Sequence, residues 1–124
     1  MISGKFIGNI PLIRVAVASG YAVRTPLVVL DSGFTGDLQV SSKVAEELRL
    51  QPIGATSARI ADGKIIQVPV ALASAAMEGE MRSIEVLISE GMPLIGIGFL
   101  SKFGYKASLD CKNKTVSMEI VWQK

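Results

Sequence analysis

Apolar residues alternate with other residues over short stretches of this chain, and turn-forming residues separate the stretches. Ile13, Val15 and Val17 stand at every second position and lead into Ser19 and Gly20. The same period of two returns in SIEVLIS at 83–89. Successive side chains of a β-strand point to opposite faces, so this pattern predicts strands that bury one face against a core.

Turn residues between the apolar stretches predict hairpins. Asp62 and Gly63 divide residues 56–72 into two strands, and this dipeptide tolerates the positive backbone angles of a tight turn. Pro69 cannot donate a ladder hydrogen bond, which places its strand at an edge or a bulge. A further hairpin is predicted at residues 110–114. One face of the strand after the Asp62-Gly63 turn is predicted to carry Ile66, Val68, Val70 and Leu72.

Two short stretches have helical spacing. One is SSKVAEELRL at 41–50, with Ser41 or Ser42 as the N-cap, and the other spans about 99–103. Together with seven or eight predicted strands, they indicate a mainly β protein with one or two short helices, built as a closed β barrel. No linker or repeat divides the 124 residues, so residues 1–124 are predicted to form a single domain.

The composition favours a protein that hides part of its surface. Hydrophobic residues make up 49% of the chain and charged residues 19%, and the mean hydropathy is +0.43. That balance is apolar for a soluble monomer, so we expect a partner subunit. The uncharged stretches are shorter than the about 18 residues of a membrane-spanning helix, and the N-terminus does not resemble a secretory signal. We therefore expect no membrane partner and a cytoplasmic location.

Several kinds of site are excluded by residues that the chain lacks. It contains no histidine, which removes Ser/His/Asp and Cys/His nucleophile pairs and the HExxH zinc site. Cys111 is its single cysteine, so neither an intramolecular disulfide nor a CxxC pair is possible. The basic residues are scattered, which gives no nucleic-acid footprint. In an enzyme of this composition, proton transfer would fall mainly to carboxylates.

One carboxylate stands in an unusual place. LVVLDSGFTG at 27–36 runs four apolar residues directly into Asp31 and then turns at Ser32 and Gly33. An ionised group at the end of a buried strand is costly unless something stabilises its charge or shares its proton. A lone aspartate at such a junction is most often structural, because it accepts hydrogen bonds from nearby backbone amides.

The stretch VVLDSGFTG resembles the active loop of the retropepsin-like aspartic proteases. Other features follow in that family's order: a short helix after the loop, the hairpin ADGK in the place of the flap, and LIG at 94–96 before a second helix. The resemblance covers about residues 10–120. It implies an acid-protease barrel that carries one half of an active site per subunit, and an aspartic endopeptidase activity on peptide or protein substrates with no cofactor or metal.

Catalysis by two carboxylates needs a second acid. Two adjoining carboxylates that share one proton can both take a proton from water and give one to a peptide carbonyl. The chain contains no second Asp-Ser-Gly or Asp-Thr-Gly; Asp37, Asp62 and Asp110 all stand in turn-like settings. A twofold homodimer would instead place Asp31 of one subunit against Asp31 of the other.

The resemblance also assigns roles to other residues. Ser32 would brace the two loops across the twofold axis, and Gly33 would offer its amide to the carboxylate, although it could equally be a turn glycine. Leu94, Ile95 and Gly96 would support the catalytic loop from beneath or be ordinary core. The residues expected to contact substrate are Phe34, Thr35, Ala61, Asp62 and Gly63.

Two positions depart from the family's pattern. Phe34 stands where related proteases often have alanine or serine, so an outer hydroxyl contact to the carboxylate is missing, and we expect activity nearer neutral than strongly acidic pH. Phe34 could be a substrate-facing wall or dimer packing. In the hairpin, Asp62 and Lys64 would tune specificity or simply solvate a tight turn.

Two other functions remain open at this point. The first is a non-catalytic peptide-binding or dimerisation module with the same barrel, and the second is a small β barrel that binds an unrelated ligand.

Trp122 would anchor a subunit interface or cap the core.

Overall fold

The computed structural model describes residues 1–59 and 62–121. This part of the chain forms twelve strands and two helices. In chain order they are β1 (Ile2–Ile7), β2 (Ile10–Arg14), β3 (Ala16–Ser19), β4 (Ala22–Arg24), β5 (Leu27–Leu30), β6 (Leu38–Val40), α1 (Ser42–Glu47), β7 (Gly54–Arg59), β8 (Ile65–Met77), β9 (Glu80–Ile88), β10 (Leu94–Ile95), α2 (Ile97–Phe103), β11 (Tyr105–Asp110) and β12 (Thr115–Ile120).

The strands form one sheet, and the predicted mainly β class is confirmed. The hydrogen-bonded order is β11-β12-β1-β2-β5-β10-β6-β9-β8-β3-β4, and β7 pairs with β8 outside this path. Across the described residues the path ends at β11 and β4, so hydrogen bonds do not close the sheet into a ring. The predicted count of seven or eight strands is too low, because pieces such as β4, β6 and β10 are too short to show a period of two.

The sheet and both helices enclose a common apolar core. Phe99 of α2 is fully buried, and its ring stacks on Phe103 with centroids 4.9 Å apart. The fully buried side chains from the strands include Ile13, Val17, Val28, Leu38, Val40, Ile84, Val86, Ile95 and Met118, and Val15, between β2 and β3, is buried with them. The alternating residues 13, 15 and 17 therefore face the core as the sequence predicts.

Helix α1 begins at a serine cap, and the structure selects between the two candidates. The Ser41 hydroxyl accepts a hydrogen bond from the Val44 amide at 3.3 Å. Ser42 lies inside the helix and donates from its amide, at 3.0 Å, and from its hydroxyl to Glu90 instead. Because Glu90 accepts both bonds, the carboxylate ties the start of α1 to the segment after β9.

The hairpin β7–β8 turns at Gly63, which has φ 87°, and its strands pair from Arg59 with Ile65 to Gly54 with Val70. Strand β9 pairs with β8 only from Val70 onwards, so Pro69 lies on an edge that is free on that side, as predicted. The predicted apolar face is wrong beyond Pro69. Val68 is buried, but the buried positions then change to Ala71, Ala73, Ala75 and Met77, and Leu72 is 53% exposed.

The order of the short strands positions the Asp31 loop. Strand β10 lies between β5 and β6 and is parallel to β5, with Leu94 beside Val29 and Ile95 beside Leu30. Parallel neighbours end at the same edge of a sheet, so Asp31 after β5 and Gly96 after β10 emerge side by side.

Within the described ranges, no helix is long and apolar enough to cross a membrane. Trp122 falls outside those ranges.

Candidate active site

Asp31 is the first residue after β5 and is half-buried. Its amide donates a hydrogen bond to the Ile95 carbonyl at 3.0 Å, and its carbonyl accepts one from the Phe34 amide at 3.1 Å. The side-chain Oδ1 accepts a hydrogen bond from the Gly33 amide at 2.9 Å. The backbone of Asp31 is thus held on both sides, and one local amide stabilises the carboxylate charge.

The residues that follow Asp31 leave its carboxylate open to solvent. Ser32, Gly33 and Thr35 are exposed. A Cβ added at Gly33 would lie 3.2 Å from Oδ1 of Asp31, which is a tight contact. Gly33 therefore allows the backbone to approach the carboxylate closely, and the φ angle does not require glycine there. These residues present Asp31 at the surface of a single chain.

The LIG segment and the start of α2 hold the loop from beneath. Ile95 is fully buried between β5 and β6. Three amides donate to loop carbonyls: Gly96 to Asp37 at 3.0 Å, Ile97 to Phe34 at 2.9 Å, and Gly98 to Gly36 at 3.0 Å. A fourth bond runs in the opposite direction, because the Asp31 amide donates to the Ile95 carbonyl. In the described structure, residues 95–98 are therefore bonded to the Asp31 loop, and the supporting role that the resemblance implies for residues 94–96 stays a prediction.

Phe34 packs inside the loop. A Cβ at Gly96 would lie 2.4 Å from the Phe34 carbonyl oxygen and 2.6 Å from its Cδ2, and a Cβ at Gly36 would lie 2.6 Å from its Cζ. The aromatic ring thus occupies the space that side chains at Gly36 and Gly96 would need. Both glycines are required by close contact with Phe34, and the ring is half-buried against them.

Asp37 is a residue of this region that the sequence interpretation missed. It lies at the bend before β6, in keeping with its predicted turn-like setting, but it is 6% exposed and is the one buried charged residue in the described part of the chain. Its Oδ2 accepts hydrogen bonds from the Lys102 ammonium at 2.5 Å and from the Glu85 amide at 2.9 Å. The sequence feature that could have indicated its burial is the position of an acid directly before the apolar strand LQV. Its partners Glu85 and Lys102 could not be predicted in this way, because they are 48 and 65 residues away.

The ADGK hairpin tip carries an ordinary polar turn. Asp62 Oδ1 accepts a hydrogen bond from the Lys64 amide at 2.9 Å, and Oδ2 lies 3.9 Å from the Lys64 ammonium. Asp62, Gly63 and Lys64 are all exposed, and Ala61 lies outside the described residues. Among the residues that the structure does describe, no hydrogen bond joins this tip to the Asp31 loop. The arrangement is the one expected of a solvated turn.

The other aspartates form hydrogen bonds and ion pairs with residues outside the Asp31 carboxylate's surroundings. Asp110 accepts hydrogen bonds from the Lys112 and Asn113 amides and from the Asn113 side chain. The bonds from Asn113, the backbone one first, hold the pKa of Asp110 below its usual range. Asp37 is paired with Lys102, as described above. Over residues 1–59 and 62–121, no three His, Cys, Asp or Glu side chains cluster in a way that could hold a metal ion.

Comparison with known proteins identifies the fold. No protein-family model and no curated protein sequence matches the chain. A search of solved structures matches EIAV protease in complex with an inhibitor, with a TM-score of 0.66 over 79% of this chain and 91% of that one. The two sequences are 14% identical over the match.

That match shows that the protein has a retropepsin-like fold, as the sequence resemblance implied. The fold is mainly β and contains the two short helices predicted from sequence. At 14% identity the comparison supports the fold, and the chemistry has to be argued from the residues of the Asp31 loop.

Proposed function

We propose that this protein is an aspartic endopeptidase that acts as a homodimer. The observation that carries the proposal is the half-buried Asp31 carboxylate, which lies at the surface of a retropepsin-like fold in a loop held through four backbone hydrogen bonds. One chain supplies one such carboxylate. A twofold pairing of two chains would supply the second, and this is the commonest symmetry of soluble oligomers.

The proposed mechanism uses one proton shared between the two Asp31 side chains. One carboxylate accepts a proton from a water molecule as the water oxygen bonds to the peptide carbonyl carbon. The other carboxyl group donates its proton to the carbonyl oxygen, which forms a neutral tetrahedral diol. The first Asp31, now protonated, then donates its proton to the peptide nitrogen as the carbon–nitrogen bond breaks, and the second Asp31 accepts a hydroxyl proton of the diol. The products are a free carboxyl and a free amine, and the pair again holds one proton. The Gly33 amide stabilises the charged form of Asp31 during this cycle.

The substrate would bind as an extended peptide under the hairpin β7–β8. From Ile65 to Pro69, β8 pairs with β7 on one side and has no β9 partner on the other. A free strand edge can pair with an extended peptide through main-chain hydrogen bonds. The residues of β7 are mostly exposed, so this hairpin has surface available for a peptide or for the second subunit.

Cleavage of a diverse peptide library by the purified protein tests the proposal, with Asp31→Asn as the inactive variant. Asn keeps the size of the side chain but cannot accept and return the proton, so cleavage should fall by at least about 10²-fold. Asp110→Asn is the matched control, because it makes the same substitution at the exposed end of β11.

Each result is decisive for the proposal. Loss of cleavage in Asp31→Asn with an unchanged dimer supports it, and equal cleavage by the wild type and Asp31→Asn refutes the role of Asp31. A wild-type protein that cuts no peptide and yet binds peptides as a dimer would be the non-catalytic module.

A further inference from the structure

A partly buried ion pair lies directly behind the Asp31 loop. Asp37 ends the loop and Lys102 lies in the last turn of α2, and the two meet at 2.5 Å. The Asp37 side chain is 8% exposed and that of Lys102 is 41% exposed, so the carboxylate is withdrawn from water and the ammonium is only partly so. An ion pair in such a place needs further hydrogen bonds to offset its desolvation.

The pair joins three separate elements. The same Oδ2 of Asp37 that binds Lys102 also accepts the Glu85 amide of β9 at 2.9 Å. The backbone carbonyl of Asp37 accepts the Gly96 amide, just before α2 begins. Asp37 is therefore bonded to both ends of α2 and to the neighbouring strand. These bonds tie α2 to the end of the loop and to β9.

The last residue of β10 and the start of α2 are also bonded to the Asp31 loop. The residues that enter α2 bind the loop backbone at Phe34, Gly36 and Asp37, and Ile95 binds the Asp31 amide. There is no spare space in this contact. A Cβ at Gly98 would lie 2.3 Å from Oδ1 of Asp37, and one at Gly96 would lie 2.3 Å from the Gly36 carbonyl oxygen. A shift of α2 is thus passed to the loop.

From this geometry we infer that Asp37 is a positioning residue for the Asp31 carboxylate and acts through Lys102 and α2. The inference rests on the proposed function, since it concerns the same site. Asp37 contacts neither the substrate nor the reacting atoms in this arrangement. It keeps the carboxylate at the distance and angle that the second subunit and the peptide require, because small displacements of a catalytic group are costly for rate.

Two variants each remove one charge of the Asp37–Lys102 pair. In Asp37→Asn the side chain keeps its size and an oxygen for the Glu85 amide, and the half-exposed Lys102 ammonium can turn to water. In Lys102→Met the Asp37 carboxylate stays buried with the Glu85 amide alone. The second variant leaves an uncompensated buried charge, so it should be the more damaging of the two. Both variants break the same ion pair. The double variant should therefore lower the free energy of unfolding by less than the sum of the two single variants.

Amide hydrogen exchange tests the structural half of the inference without any activity. In Asp37→Asn, exchange at Gly96, Ile97 and Gly98 should become at least about tenfold faster, which corresponds to loss of a charge-assisted hydrogen bond. Amides of the hairpin β11–β12 serve as the internal reference and should not change. Glu47→Gln removes one side of the exposed ion pair between Arg24 and Glu47 and is the matched control variant.

Peptide cleavage tests the catalytic half. For a peptide that the wild type cuts, kcat in Asp37→Asn should fall about 10- to 100-fold per folded dimer, while KM changes by less than about threefold. A merely structural role would lower the melting temperature and leave kcat per folded dimer unchanged. Glu47→Gln should keep the wild-type kcat.

The outcomes are distinct. Unchanged exchange at residues 96–98 overturns the inference whether or not the protein cleaves peptides. Faster exchange with an unchanged kcat overturns the positioning role and leaves the proposed function intact. Absence of any Asp31-dependent cleavage in the wild type refutes the proposed function, and the exchange result then still decides whether Asp37 holds the loop.

Discussion

The amide of Asp31 donates a hydrogen bond to the carbonyl of Ile95 at 3.0 Å, across two strands that run parallel. This bond extends the ladder between β5 and β10 by one residue beyond β5, since Ile95 is the last residue of β10. The first residue of the loop is therefore anchored like a strand residue, and the turn begins only at Ser32. A carboxylate placed in this way has a defined position although its neighbours are exposed.

Gly96→Ala should disrupt the site more than an ordinary glycine substitution. The new Cβ would lie within 2.4 Å of two backbone oxygens, those of Gly36 and Phe34, which cannot move without displacing the loop. We expect a loss of about 1–3 kcal/mol in the free energy of unfolding, as for other overpacked sites. Chemical denaturation measures this value.

Gly54→Ala is the control for that change. Gly54 has no neighbouring atom within 4 Å of an added Cβ and no positive φ angle. Its free energy of unfolding should stay within about 0.5 kcal/mol of the wild type. Equal effects of the two alanines would contradict the packing argument.

Subunit mixing should reveal a site shared between two chains. If Asp31→Asn chains exchange freely with a fixed amount of wild type, an equal amount of variant leaves about half of the wild-type chains in wild-type dimers. The cleavage rate should then fall to about half. Added Asp110→Asn chains should instead raise the rate, and a rate that does not respond to Asp31→Asn would argue for a complete site in each chain.

The Tyr105 hydroxyl should ionise only at unusually high pH. Its hydroxyl donates a hydrogen bond to Glu78 at 3.0 Å, and burial first and this bond second raise the pKa of Tyr105 above its usual range. The neutral form is favoured in the folded state, so this contribution to stability is complete below the unfolded pKa of about 10 and is lost as pH rises further.

An absorbance titration of the chain's two tyrosines measures this effect. Tyr105→Phe should remove the component that ionises at the highest pH and leave the other. Removal of that component by Tyr21→Phe would show that Tyr105 is not the late group.

Asp110 should contribute to stability at neutral pH and lose that contribution in acid. The Asn113 hydrogen bonds lower the pKa of Asp110, so the effect is present above the unfolded pKa of about 4 and disappears as pH falls through the lower folded value. Asp110→Ala should therefore lower the melting temperature at pH 7 and have little effect near pH 2. Glu119→Gln, on the adjoining strand, is the control. If Asp110→Ala lowers the melting temperature equally at both pH values, the Asn113 hydrogen bonds are not the source of the stabilisation.

Local features of the fold were predictable because they depend on neighbouring residues. The alternation at residues 13–17 and the turn at Gly63 appear in the structure where the sequence places them, and α1 begins after Ser41, one of the two predicted caps. The hairpin β1–β2 was missed, although Gly8 at its turn has φ 59°. The face of β8 was assigned wrongly beyond Pro69, where the buried positions change from even to odd.

The surroundings of the candidate site were less predictable. The resemblance identified Asp31, Gly33 and LIG, and the structure brings these residues together. It did not identify Asp37, whose partners lie on β9 and α2, or the packing of Phe34 on Gly36 and Gly96. These contacts depend on the order of strands β5, β10, β6 and β9, and no periodicity along the chain encodes that order.

The sequence by itself determined the strand-rich fold class and left carboxylates as the main candidates for acid–base chemistry, since backbone periodicity and residue types are properties of the chain alone. Only the tertiary structure decided how the Asp31 loop is held and that Asp37 is buried against Lys102. The reason is physical: burial and pairing of a charge depend on groups that are distant in sequence and meet only when the sheet is assembled.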